Sequence, residues 1–142
     1  EILKDLARME LASGMLKKIN KAAESVDSAE FFEILKGSLS ALDNGCDVRL
    51  VETWFDLNLM RITGEEVNLY RDVEGAQLQP DLKYNWDGME MAFYPDANGD
   101  IDADVIKILR LMISTDLEVV RRIKNISDYV EVLSDFSEKV IK

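Results

Sequence analysis

Val48-Arg49-Leu50-Val51-Glu52-Thr53-Trp54-Phe55-Asp56-Leu57-Asn58-Leu59-Met60-Arg61-Ile62-Thr63-Gly64 is the stretch on which the fold turns. It contains no proline and no internal glycine. Its apolar residues Val48, Leu50, Val51, Trp54, Phe55, Leu57, Leu59, Met60 and Ile62 fall on nearly every side of a 3.6-residue period. A helix that is apolar all round has no face to give to water. The spacing therefore predicts a central helix over 48–63, opening after Asp47 and stopped by Gly64.

The segments upstream are amphipathic and suit packing around that helix. Leu3, Ala7, Leu11, Met15 and Ile19 recur every four residues, with Leu6, Leu16 and Ala22 widening the stripe, which predicts a helix over 2–23. Lys17, Lys18 and Lys21 fall near its end, where cations suit the carbonyl-rich terminus; solvated lysines are preferred there over a phosphate patch. Asp27 with Glu30 resembles a capping box, and Phe31, Ile34, Leu35, Leu39 and Leu42 then line one side of a helix over 28–43 that Asn44-Gly45 stops. The chain starts at Glu1, not Met, with the helical pattern already running, so an N-terminal portion is expected before it.

Downstream, the helical period is lost over 65–100. Tyr84 to Phe93 alternates around Asp87-Gly88, a pair suited to a two-residue hairpin turn, so a small β-ribbon is expected within this connection. Helical spacing returns with Val105, Ile108, Leu109 and Met112, then with Leu117, Val120 and Ile123 behind Asp116, then with Tyr129, Leu133, Phe136 and Val140. Helices over 102–114, 117–125 and 127–141 follow. The expected fold is mainly all-α, one six-helix, bundle-like domain with a small irregular β-ribbon insertion.

Composition narrows the function. The chain has 142 residues, is 47% apolar and 32% charged, and so can close a core of its own. It contains no histidine and a single cysteine, Cys46, which removes the usual general base, the usual metal ligand and any paired-thiol site. A non-enzymatic binding protein without a cofactor is the resulting expectation. No apolar run approaches the length of a membrane span, and a cytoplasmic location fits one unpaired cysteine. With a formal charge of −11, the molecule as a whole repels nucleic-acid phosphates.

Two local patterns are candidates for binding. Asp96, Asn98, Asp100 and Asp102 alternate oxygen ligands ahead of a helix, as a calcium loop does. The register fails at both ends. Starting at Asp96 puts Ile101 at the glycine position and Lys107 at the bidentate acid; placing Gly99 at the turn puts Tyr94 and Val105 at the ends. A turn at Asn98-Gly99 with Asp100 and Asp102 capping the next helix is preferred, and a calcium-binding interaction module is the alternative reading. Arg121, Arg122 and Lys124 form the densest basic cluster, and Arg49 and Arg61 sit on the most apolar helix. These five are the candidate partner-binding residues, because cations beside apolar surface capture acidic-hydrophobic peptides. Phosphate loops, dinucleotide fingerprints and serine elbows do not occur, and nothing selects one catalytic pair among the 28 acids.

In order, Leu3-Lys4-Asp5-Leu6-Ala7, Phe31-Phe32-Glu33-Ile34-Leu35 and Trp54-Phe55-Asp56-Leu57-Asn58-Leu59-Met60-Arg61-Ile62-Thr63-Gly64 resemble the C-terminal helical region of the recombination mediator RecO. The resemblance spans nearly the whole chain. It implies a role in recombinational repair with two protein partners, RecR and the acidic, phenylalanine-ended tail of the single-stranded-DNA-binding protein. It further implies strand annealing, loading of RecA, and DNA contact mainly through an N-terminal OB-fold outside these residues. Many RecO proteins carry a zinc ribbon after the aromatic helix. Arg71-Asp72-Val73-Glu74-Gly75 and 91–94 stand where its two cysteine pairs would be, so thiolate ligation is impossible and packing by Tyr84, Trp86, Met89, Met91 and Phe93 is expected instead.

Overall fold

The computed structural model describes the backbone of residues 2–141 and the side chains of residues 5–141. Among the described residues it contains six α-helices and one two-stranded sheet, in the order α1 (Ile2–Ala23), α2 (Glu30–Asp43), α3 (Val48–Ile62), β1 (Tyr84–Asp87), β2 (Ala92–Pro95), α4 (Ala103–Ser114), α5 (Leu117–Arg121) and α6 (Val130–Ile141). A 3-10 turn, Ile126–Asp128, precedes α6.

The all-round apolar pattern of α3 becomes a central position: α1, α2, α4 and α6 all pack against it. Leu50, Val51, Trp54, Phe55 and Leu57 are buried, and so are the polar Thr53, Asp56 and Asn58. Buried polar groups cost free energy unless bonded, and all three are bonded here. Thr53 Oγ1 donates to the Arg49 carbonyl at 2.8 Å, Asp56 accepts from Lys18 Nζ at 2.7 Å, and Asn58 Nδ2 donates to the carbonyls of Trp54 and Met112 at 2.8 Å each. Trp54 Nε1 donates to the Thr115 carbonyl at 3.2 Å, so two α3 side chains satisfy carbonyls that the end of α4 leaves unpaired.

The sequence-based boundaries shift where local hydrogen bonding overrides the pattern. Asp27 does not cap α2. The helix starts at Glu30, two residues later than expected, after Ala29, which has no side-chain cap bond; Ser28 Oγ accepts from the Glu30 amide instead. Asp47 and Asp102 do cap, accepting from the amides of Arg49 and Val105, whereas Asp100 makes no such bond among the described residues. Asn125 adopts the left-handed conformation with φ +62°, which ends the α5 region short of 125, and α6 starts at Val130 rather than at 127. Gly45 and Gly64 take φ of +80° and +87° at the two stops assigned to them.

The α1 stripe is only partly covered. Met15 is buried and Leu11, Ala12 and Ile19 are half-buried, but Leu6 and Leu16 stay exposed; the side chain of Leu3 lies outside the described ones. Leu39 of α2 is likewise exposed.

The ribbon forms, but not around a two-residue turn. Tyr84 pairs with Pro95 and Asp87 with Ala92, leaving a four-residue loop over 88–91. The Asp87 carboxylate accepts from the amides of Met89 and Glu90, and Met91 turns the chain back at φ +54°. Met89 is 94% exposed and Met91 is also exposed, so neither methionine belongs to the packing that stands in for a metal. Phe136 of α6 takes that part. Its ring stacks on Phe93 at 5.4 Å and meets Trp86 edge-on at 5.3 Å, while Trp86 meets Phe93 edge-on at 5.1 Å.

The stretches 71–75 and 91–94 are brought side by side by backbone bonding: the Val73 amide donates to the Phe93 carbonyl at 2.8 Å. Asp72 spends one carboxylate oxygen on the amides of Glu74 and Ala76. Neither stretch offers a thiolate or imidazole, so a zinc ion of the ribbon type does not fit these residues. Gly99 is fixed by a close approach, since a Cβ there would overlap the Tyr84 carbonyl.

Candidate functional site

The five predicted cations do not form one surface. Arg49 and Arg121 lie at the corner between α2 and α3: Arg49 is 3.7 Å from Asp47, and Arg121 contacts Glu118 at 3.2 Å and donates to the Asn44 carbonyl at 3.4 Å. Arg122 and Lys124 are exposed after α5. Arg61 lies at the other end of α3, where it binds Glu30 at 2.8 Å and the Asn58 side chain at 3.2 Å. Twelve positions along α3 put Arg61 about 18 Å from Arg49. Cys46, buried near Arg121, has its thiol pKa raised chiefly by burial.

The aspartate-rich stretch folds as a turn, a bridge and a cap. Asp96 accepts from the Asn98 amide, Tyr84 and Ile101 exchange backbone bonds of 2.8 and 3.2 Å, and Asp102 caps α4. No three His, Cys, Asp or Glu side chains converge as a metal cage among the described residues.

Three grooves have the size to receive a peptide. One, about 540 Å³, lies between α1 and α2, where its single cation, Arg8, is 3.6 Å from Asp5 and shares the lining with Asp43. Another, about 590 Å³, lies between α2 and the α4–α5 corner, with Trp54 at its base. Glu30, Glu33, Asp116 and Glu118 outnumber Lys36 and Arg61 there, so it disfavours an acidic ligand. The third, about 500 Å³, is bounded by the end of α1, the end of α3 and the end of α6. Ala22, Val26, Leu59, Met60, Val140 and Ile141 give it an apolar lining, and Lys18 and Lys21 stand on its wall, balanced in number by Asp56 and Glu65.

Lys18 and Lys21 reach this position because α1 runs past the end of α3 with Met15 as its buried anchor. Lys18 sits one turn beyond Met15 and turns inward to Asp56. The Asp56 carboxyl has a raised pKa: burial raises it, the hydrogen bond and charge of Lys18 lower it, and the charge of Glu52 raises it. Lys21 has no carboxylate within ion-pair distance among the described residues. Helix-end solvated charge describes Lys17 and Lys21, which are exposed, but not Lys18, which turns inward to Asp56. The available signal was a buried acid in the apolar α3 pattern, Asp56, which required a cation from elsewhere in the chain.

No helix among the described residues is long and apolar enough to cross a membrane. The family described as Recombination protein O C terminal matches residues 3–142. No curated protein and no solved structure matches the chain.

Proposed function

The chain belongs to the Recombination protein O C terminal family, which places it in DNA repair and recombination, and on that premise we propose that it acts there as a non-enzymatic mediator by binding other proteins. The partner is the acidic, phenylalanine-ended tail of the single-stranded-DNA-binding protein, received in the groove between the ends of α1, α3 and α6. One observation carries this reading: of the three large grooves, this one joins a mainly apolar lining to a lysine, Lys21, with no carboxylate within ion-pair distance among the described residues. An aromatic terminus would be desolvated against Leu59, Met60 and Val140 while preceding carboxylates meet the ammonium groups. Engagement of RecR, annealing and RecA loading complete the mediator role, with DNA held mainly by an OB-fold outside residues 1–142. The net charge of −11 supports that division of labour.

A fluorescent peptide of consecutive aspartates ended by phenylalanine, titrated with the protein, tests the reading. Saturable micromolar binding is expected, weakened about fivefold by Lys21→Glu. Absence of saturable binding at high micromolar protein would contradict it.

A further inference from the structure

The acid-binding position of this groove is already occupied by an acid of the protein. Asp56 lies on α3 with its side chain 7% exposed, and its Oδ1 is 2.7 Å from Lys18 Nζ. The Lys18 side chain is 40% exposed and lines the groove while it is held. The charged groups around Asp56 are Lys18 and Lys21 from α1, Glu52 from α3 itself, Glu65 from the segment after α3, and Glu138 from α6. Glu52 acts on Asp56 directly by charge, while Glu65 and Glu138 line the two grooves that Asp56 and Lys18 share. An incoming carboxylate cannot take Lys18 without leaving Asp56 buried beside Glu52 and stripped of its counter-ion.

We propose that Asp56 is a resident competitor that sets the affinity of the groove: an acidic peptide binds by displacing Asp56 from Lys18, and Asp56 takes up a proton as it is displaced. This rests on the docking reading above. The raised pKa of Asp56, caused first by burial, agrees with a carboxyl group that accepts a proton readily once Lys18 is drawn away. The balance is one proton from solvent onto Asp56 and one Lys18 contact exchanged from the protein's carboxylate to the peptide's. Binding therefore tightens as pH falls, down to the range where the peptide's own exposed carboxylates protonate.

Calorimetric titration of the aspartate-phenylalanine peptide, run in two buffers of different ionisation enthalpy between about pH 7.5 and about pH 5.5, measures the proton uptake directly. Wild-type protein is expected to take up protons on binding and to bind more tightly at the lower pH. Asp56→Asn is expected to bind about fivefold more tightly at the higher pH, with no proton uptake and little pH dependence. Wild-type binding without proton uptake, at an affinity equal to that of Asp56→Asn, would overturn the competitor role and leave the docking reading standing. Failure of both proteins to bind at either pH would overturn both. Because wild-type proton uptake is read without the variant, a folding defect in Asp56→Asn does not protect the proposal.

Discussion

Asn58 ties α3 to α4 with one amide. Its Nδ2 holds the carbonyls of Trp54 and Met112, and its Oδ1 accepts from Arg61 Nε. Replacing it with leucine leaves the Met112 carbonyl, near the end of α4, without its buried donor. Asn58→Leu is expected to lower stability by about 2 kcal/mol, read as a fall in the urea midpoint at unchanged slope. Asp56 acts in the opposite sense. Its folded pKa is raised above the unfolded value of about 3.9, so the stability it contributes is full below that value and is lost as pH rises through the folded pKa. Asp56→Asn lacks this dependence. Its stability relative to wild type should rise with pH across that window and then level off; a relative stability that falls with pH would mean that Lys18 outweighs burial. The sequence displayed both residues as polar interruptions of an apolar helix, but their partners lie 54 and 38 positions away in the chain, beyond any local pattern.

At the level of elements, the periodic segments and the stops at Gly45 and Gly64 were legible, whereas the width of the hairpin turn and the break before α6 were not. α3 and α4 carry their period in many apolar side chains, so one misplaced residue does not alter the reading. Turns rest on one or two hydrogen bonds. Asp87 recruited the amides of Met89 and Glu90 and widened the hairpin, and left-handed Asn125 separated two helices whose apolar spacing looked nearly continuous. The contribution of α6 to the ribbon was hidden for another reason: Phe136 satisfies its own helix pattern while also completing the Trp86 and Phe93 cluster. That cluster, with the Val73–Phe93 backbone bond, holds the ribbon without metal ligands. Phe136→Ala is accordingly expected to cost about 3 to 5 kcal/mol, whereas a chelator should leave the thermal midpoint unchanged. A clear drop in midpoint with chelator would contradict this account of the ribbon.

Across the whole molecule, charge and apolar surface distinguish the grooves. In the one beside α4 and α5 acids outnumber cations, in the one between α1 and α2 the single cation Arg8 is paired with Asp5, and in the third Lys18 and Lys21 match Asp56 and Glu65 in number beside an apolar lining, so an acidic tail is repelled least, and held by Lys21, in the third. The sequence pointed to Arg49, Arg61, Arg121, Arg122 and Lys124 as partner cations, because a cation beside apolar or aromatic residues was the visible cue. In the fold Arg61 pairs with Glu30 and Arg121 with Glu118, and Lys18 and Lys21 stand beside apolar surface contributed by three separate helices. The most direct test is amide chemical-shift mapping of the isotopically labelled protein titrated with the aspartate-phenylalanine peptide. Saturable shifts confined to 18–26, 59–63 and 140–141 are predicted; shifts centred on 30–40 and 113–118, or none that saturate, would contradict the assignment of the site.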